Sequence, residues 1–147
     1  EMRACLNDFF LSSSGNDKET IKINFLGVVK EFAPASADLV AFIGHDGLMD
    51  TQFETYPVLK GTKKRDVMIF CCYSKEFFTP AMKSAGANPL LWTTGLCSPE
   101  AYSLKAGLDG WLLGETGLQI EERAAQAYHK YQKCGIKGAR GLFTTGW

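Results

Sequence analysis

Asp66-Val67-Met68-Ile69-Phe70-Cys71-Cys72-Tyr73-Ser74 is the stretch of sequence that most strongly indicates the fold. Its large apolar residues run into two thiols and a hydroxyl, over a length too short for a separate helix and with residue types that favour strands. A buried strand that ends in cysteine places a nucleophile at the edge of a sheet. The stretch therefore predicts a strand whose carboxyl end carries Cys72.

A second apolar run, Leu39-Val40-Ala41-Phe42-Ile43, ends in Gly44-His45-Asp46-Gly47. Residues 46–65 between the two runs are long enough for a crossover, as a short helix or an irregular loop, so the two strands can be parallel neighbours. Their carboxyl ends would then bring His45 next to Cys72. An adjacent imidazole is the simplest way to generate a thiolate at neutral pH.

Hydrophobic spacing and turn residues predict the remaining elements, and alternating strands and helices predict an α/β fold. We expect a three-layer α/β/α sandwich around a mostly parallel sheet, with functional residues beyond the carboxyl ends of the strands. His129, in a charged helix, is expected to face solvent. A helix whose apolar face runs from Met2 to Phe10 is expected to pack on the sheet and to end near Ser12-Ser13-Ser14-Gly15-Asn16. The other predicted elements are a half-exposed strand over 21–25 that continues or pairs back through 27–29, a helix capped by Ser74 that stops at Gly86, a buried strand over 88–93, a helix that starts at Ser98-Pro99-Glu100 and ends at Gly114, a helix with a capping box at Thr116 and Gln119 that ends at Gly135, and a docked tail over 138–147.

Composition limits the classes of function. Sixteen Lys and Arg residues balance sixteen Asp and Glu residues, which argues against a nucleic-acid or membrane-surface binder, because such binding needs clustered cations. No apolar run approaches the roughly 20 residues of a membrane span and no signal peptide is present, so we expect a cytoplasmic protein. We expect one domain over residues 1–147; because the chain begins at Glu1 rather than Met, it is also consistent with a fragment that lacks upstream elements.

The five cysteines are an odd number without framework spacing, and the chain has only two histidines. Cys71 and Cys72 point to opposite faces of a strand, which places them poorly for bonding to each other or for holding one metal ion. We therefore expect free thiols, no metal site and no cofactor.

The pair Gly44-His45-Asp46-Gly47 and Cys72-Tyr73-Ser74 resembles the signature of caspase-like cysteine peptidases, the group that contains caspases, metacaspases, separases, clostripain-type enzymes and CHAT domains. Ala85-Gly86-Ala87, Leu90-Leu91-Trp92 and the helix after Ser98 continue the similarity to CHAT domains, so that it covers residues of about 38 to 113.

The resemblance implies a peptide or protein substrate and specific roles. Cys72 would be the nucleophile and His45 the general base, while the N–H groups of Gly47 and Cys72 would form the oxyanion hole. Some of the surrounding residues have simpler alternatives: Asp46 in a solvated acidic face, Thr93 and Thr94 in a turn, and Cys97 as a partly buried loop thiol. The candidate pocket residues are Asp46, Phe70, Ser74, Thr93, Thr94 and Cys97.

Two positions depart from the family pattern. Asp46 stands where the family usually has glycine after the histidine, which changes the donor geometry and could raise the pKa of His45. Phe70 stands two residues before the nucleophile, where basic-specific members have Asp and caspases have Gln. In those families the Asp or Gln helps to recognise the substrate side chain that precedes the cleaved bond, and phenylalanine cannot replace either residue. Cleavage after Arg, Lys or Asp is therefore unsupported by the sequence.

Three functions are consistent with the sequence. The first is a peptidase or related acyl-transfer enzyme that uses Cys72 and His45. The second is an inactive caspase-like interaction module with no selectively reactive thiol, whose exposed apolar patch, around residues 142–147, is covered by a protein partner or another copy. The third is an unrelated α/β domain that binds a small molecule, with the Cys–His separation above about 6 Å.

Overall fold

The computed structural model describes all 147 residues. Its central feature is a four-stranded sheet in the order β3-β4-β5-β6, in which β3, β4 and β5 are parallel and β6 is antiparallel. A separate antiparallel hairpin joins β1 and β2. The strands are β1 (Ile21–Phe25), β2 (Val28–Phe32), β3 (Leu39–Ile43), β4 (Asp66–Phe70), β5 (Asn88–Thr93) and β6 (Phe143–Thr144).

Five helices accompany the strands, and a single 3₁₀ turn at Pro34–Ser36 leads into β3. The helices are α1 (Met2–Ser14), α2 (Ser74–Ser84), α3 (Ala101–Leu112), α4 (Gly117–Gln132) and α5 (Ile136–Leu142). The mixed α/β fold and the mostly parallel sheet that the sequence predicts are thus confirmed. No helix is long and apolar enough to cross a membrane.

Side chains of β4 alternate between two apolar clusters on opposite faces of the sheet. Val67 and Ile69, with Cys71 directly after the strand, belong to the cluster that includes the buried faces of α1 and α2. Met68 and Phe70 belong to the cluster on the other face, with α4, α5 and β6. This alternation is the period-two pattern of a strand buried on both sides, and it sends Cys71 into the core, as expected.

Strand β3 lies at the edge of the sheet, because only β4 pairs with it. Of its residues only Phe42 is buried, whereas Ala41 and Ile43 are exposed. The apolar run at Leu39–Ile43 predicts the strand but not its place at the edge, because a purely apolar run is common to central and edge strands.

The helix starts and ends test the capping predictions. Thr116 forms the predicted capping box with Gln119. Helix α3, however, begins at Ala101 with Glu100 as N-cap and no side-chain cap, so the predicted N-cap at Ser98 is wrong by two residues. Residues 98–100 instead form an irregular segment in which the Glu100 N–H donates to the Ser98 carbonyl at 2.9 Å.

Helix α3 packs on the sheet through small residues. Its buried positions are Ser103, Gly107 and Gly110, while Leu112 is exposed. A Cβ at Gly107 would lie 3.1 Å from Met68 Sδ, so glycine lets the helix approach β4 closely. The larger apolar residues of α3 are only partly buried along the rim of the cluster.

Candidate functional site

The register of β3 on β4 brings the two candidate catalytic residues to the same edge of the sheet. The strands pair in parallel, with Ile43 opposite Phe70, and the Gly44 N–H donates to the Phe70 carbonyl at 3.1 Å. His45 and Cys72 each follow two residues after that last pair. The predicted parallel pairing is confirmed, and the register sets both residues at neighbouring strand ends.

Cys72 is half-buried in the turn between β4 and α2. Its thiol lies against the backbone of Cys97: it donates to the Cys97 carbonyl at 3.6 Å and accepts from the Cys97 N–H at 3.5 Å. The Cys72 N–H makes no hydrogen bond within the chain. Of the two donors assigned to the oxyanion hole, this one is available.

His45 is exposed and faces Asp50. Its Nε2 atom lies 2.9 Å from Asp50 Oδ2, and both side chains are more than half exposed. No hydrogen bond joins His45 and Cys72. The carboxylate of Asp50, five residues after His45, therefore makes the direct contact with the imidazole. The sequence shows that several acidic residues are near His45, but it does not show which of them the turn brings against the ring.

Asp46 turns into the protein. Its side chain is completely buried, and Oδ1 accepts a hydrogen bond from the Leu48 N–H at 2.9 Å, while Oδ2 has no partner. Burial is the main cause that raises the pKa of Asp46, with hydrogen bonding from Leu48 and the charge of His45 acting in the opposite direction. The solvated acidic face expected at Asp46 is therefore wrong.

Gly47 is constrained both by a hydrogen bond of its N–H group and by the close packing of α1 against its Cα atom. Its N–H donates to the His45 carbonyl at 3.0 Å, so it can serve an oxyanion only if this turn opens. A Cβ at this position would lie 2.4 Å from Met2 Cγ and 3.0 Å from Leu6 Cδ1. The close approach of α1 is a structural reason for glycine that is independent of catalysis.

The turn from β4 into α2 is held by Ser74 and Thr93. Tyr73, the N-cap of α2, is left-handed with φ 48°, and no side chain caps the helix. Ser74 does not cap the helix as predicted; its hydroxyl donates to the Ile69 carbonyl at 2.9 Å and accepts from the Thr93 N–H at 2.8 Å. The Thr93 hydroxyl accepts from the Ser74 N–H at 3.1 Å and donates to the Cys71 carbonyl.

The neighbouring thiols are held in their protonated form by their surroundings. Burial raises the pKa of Cys71, and the charge of Asp46 adds to the effect. Burial also raises the pKa of Cys97, to about 12, with a further contribution from Cys72. Cys71 and Cys97 are therefore protonated at neutral pH, so neither competes with Cys72 in the first attack on an external electrophile.

Most of the expected pocket residues do not line a cavity, because the sheet and its helices enclose them. The side chains of Asp46, Phe70, Ser74 and Thr93 are all 0% exposed. Thr94 is exposed and borders a shallow cavity of about 390 Å³ between the β5–α3 loop and α5. No cavity is lined by Cys72 or His45.

Of two other side chains with a stated expectation, one differs from it and one agrees. Nδ1 of His129, predicted to face solvent, is buried without a partner on the half-buried side of α4. Cys97 is 7% exposed, in agreement with a mostly buried loop thiol. No group of three or more His, Cys, Asp or Glu residues is arranged to hold a metal ion.

Comparison of the chain with protein-family models, with curated proteins and with solved structures finds no match in any of the three, so the site is interpreted from its geometry alone.

Proposed function

We propose that this protein is a cysteine-dependent peptidase or a related acyl-transfer enzyme, with Cys72 as nucleophile and His45 as its acid–base partner. The observation that supports the proposal most directly is the parallel pairing of β3 and β4, in which Ile43 lies opposite Phe70. The ends of such strands are where α/β proteins carry their functional residues. The mostly parallel sheet with helices on both faces is compatible with a caspase-like sandwich.

The proposed reaction begins with attack of the Cys72 thiolate on a peptide carbonyl. The S–C bond forms as the carbonyl π electrons move to oxygen, and the unpaired N–H of Cys72 donates to that oxyanion. His45 protonates the leaving amine as the C–N bond breaks. Water then releases the acyl group, or another nucleophile accepts it.

The imidazole has to exchange its partner during this reaction. In the structure His45 bonds to Asp50 at 2.9 Å, and both side chains are exposed. An exposed ion pair contributes little to stability, about 0–1 kcal/mol, so rotation of the ring towards Cys72 costs little. Asp50 would then be the hydrogen-bond partner of the imidazole before the ring turns towards Cys72.

An electrophilic peptide ketone that alkylates thiols tests the proposal in the intact chain. We expect selective labelling of Cys72, loss of labelling in Cys72→Ala, and a labelling rate about 10²–10⁴-fold lower in His45→Gln. Cys134→Ser is the matched control, because Cys134 is an exposed thiol outside the site. Labelling that persists at Cys71 or Cys97 in Cys72→Ala, located by peptide mass spectrometry, would refute the proposal.

The second candidate is an inactive caspase-like module that binds another protein. Two observations favour it: His45 is bonded to Asp50, and the β1–β2 hairpin exposes apolar side chains. This candidate predicts that Cys72 reacts with the peptide ketone no faster than Cys134 does, and that His45→Gln leaves the rate unchanged.

A further inference from the structure

The sulfur of Cys72 is in contact with a second cysteine. It lies 3.5 Å from the backbone nitrogen of Cys97 and 3.6 Å from its carbonyl oxygen. Since an N–Cα bond is about 1.46 Å long, the Cys72 sulfur is within about 5 Å of the Cys97 Cα atom. A disulfide brings two sulfur atoms to about 2.05 Å, a separation that the Cys97 side chain, built on that Cα atom, can reach after a change of rotamer and a small adjustment.

Cys97 is placed where such an adjustment is possible. It lies in the connection between β5 and α3, outside regular secondary structure, and its thiol makes one weak hydrogen bond, to the Ser98 carbonyl at 3.5 Å. The loop is tied to the protein at points beside Cys97: the Gly95 carbonyl accepts from the Tyr73 N–H, and the Ser98 N–H donates to the Tyr128 hydroxyl. A change of rotamer at Cys97 therefore redirects its sulfur without displacing the loop ends.

The other cysteines are less well placed to bond to Cys72. Cys71 is its sequence neighbour, but it is fully buried in the α1 and α2 cluster, whereas Cys72 is half-buried in the turn after β4. Cys5 and Cys134 are exposed, and neither makes a hydrogen bond with Cys72. Cys97 is the one cysteine whose backbone touches the Cys72 sulfur.

We propose that Cys72 and Cys97 form a reversible disulfide when a peroxide oxidises Cys72. The Cys72 thiol loses its proton and the thiolate attacks one peroxide oxygen; the O–O bond breaks, the sulfur becomes a sulfenic acid, and the other oxygen leaves as hydroxide, which takes up that proton to become water. The Cys97 sulfur then attacks the Cys72 sulfur; the S–S bond forms, the S–O bond breaks, and the released hydroxide takes the Cys97 proton to leave as water. A dithiol reductant reverses the bond by thiol–disulfide exchange.

The disulfide would have two effects on Cys72: protection from over-oxidation and loss of its reactivity as a nucleophile. It prevents further oxidation of Cys72 to the irreversible sulfinic and sulfonic acids, and it removes the thiolate. That second consequence rests on the proposed function, because it matters only if Cys72 is a nucleophile. The disulfide itself does not depend on His45 or on a peptide substrate.

Treatment of the full chain with a small excess of hydrogen peroxide, followed by alkylation of free thiols under denaturing conditions and peptide mass spectrometry, tests the bond. We expect a Cys72–Cys97 cross-linked peptide, lighter than its parts by two hydrogen atoms, that disappears after treatment with dithiothreitol. In Cys97→Ser we expect no intramolecular cross-link and instead Cys72 sulfenic acid, trapped by dimedone, or its over-oxidised forms. Cys134→Ser is the matched control and should form the cross-link as the unaltered chain does.

Two results would overturn the proposal. One is oxidation of Cys72 while Cys97 remains fully alkylated; the other is a bond from Cys72 to Cys71, or to Cys134 of a second copy. Circular dichroism of Cys97→Ser confirms that the variant is folded before its result is used. Because the cross-link is measured by mass, its formation without any peptide-ketone labelling would refute the peptidase while leaving the disulfide intact.

Discussion

At the level of single residues, Asp46 is the most unusual group near the site. It is completely buried, its Oδ2 has no partner, and burial raises its pKa above the ordinary value. An acid whose pKa is higher in the folded than in the unfolded state binds more protons when folded. Its contribution to stability is therefore present below the unfolded pKa and is lost as pH rises through the folded pKa.

This linkage predicts the behaviour of Asp46→Asn. The amide keeps an oxygen that can accept from Leu48, so the turn is preserved, but it cannot ionise. We expect the free energy of unfolding of the unaltered chain to fall relative to that of the variant as pH rises from the unfolded pKa into the neutral range. Urea unfolding at a series of pH values measures the difference.

Asp50→Asn is the matched control, because that carboxylate is exposed. It should give a difference in unfolding free energy that changes little with pH. A pH-independent difference between the unaltered chain and Asp46→Asn would mean that Asp46 is ionised at the same pH in the folded and unfolded states, contrary to the burial argument.

Single residues also show what the sequence predicts well. The alternation of side chains along a strand separates Cys71 from Cys72, and Cys71 is indeed buried while Cys72 is half-exposed. The partner of His45 was not predictable in the same way. Asp46 and Asp50 are both near it in sequence, and the choice depends on a turn in which Asp46 accepts from the Leu48 N–H and so faces inward.

At the level of elements, Ser74 and Thr93 connect the end of β4 to the end of β5. Each side chain bonds to the backbone of the other residue: the Thr93 N–H donates to Ser74 Oγ at 2.8 Å, and the Ser74 N–H donates to Thr93 Oγ1 at 3.1 Å. Both residues are fully buried. Loss of either hydroxyl leaves buried backbone groups without partners, which costs about 1–3 kcal/mol.

A double-mutant cycle with Ser74→Ala and Thr93→Val tests this connection. We expect each single change to lower the free energy of unfolding by about 1–3 kcal/mol, and the double change to cost less than the sum, with a coupling of about 0.5–3 kcal/mol. Urea denaturation measures all four proteins, and Thr93→Ser, which retains the hydroxyl, should recover most of the loss. Strict additivity would mean that the two hydroxyls act independently.

The elements that the sequence predicts correctly are those with local signals. The strands β3, β4 and β5 and the helices α1 and α4 follow from apolar runs, helical spacing and the capping box at Thr116. Ser74 and Ser98 have the right residue type for caps, but the Ser74 hydroxyl bonds to the Ile69 carbonyl instead, and α3 begins at Ala101. Strand β6, only two residues long, depends on pairing with β5, a long-range contact with no local signature.

At the level of the whole molecule, the β1–β2 hairpin stands apart from the core. Every residue in its strands is exposed, and the pairs Ile21–Phe32, Ile23–Lys30 and Phe25–Val28 set their side chains on one face. On the other face, Lys22 and Glu31 form an ion pair at 2.8 Å. One exposed apolar surface of the protein thus lies on one face of the hairpin; in the tail over residues 142–147, where a patch is expected, Trp147 is 55% exposed but Phe143 only 2%.

This surface predicts the effect of replacing Ile23 and Phe25 by threonine. Both are exposed, by 48% and 63%, and threonine favours strands, so we expect a change of only about 0.5 kcal/mol in the free energy of unfolding. Binding of a fluorescent apolar dye to the native protein should fall clearly, because the contiguous apolar face is interrupted.

Val29→Thr is the matched control for this pair of changes. Val29 is 60% exposed in the same hairpin but pairs with Asn24 on the opposite face, so its replacement should leave dye binding nearly unchanged. If the double variant instead loses several kcal/mol of stability, as buried apolar residues do on truncation, then Ile23 and Phe25 are covered in solution, by the body of the chain or by another copy. Sedimentation of the unaltered chain over a range of concentrations separates those two cases, because only association between copies depends on concentration.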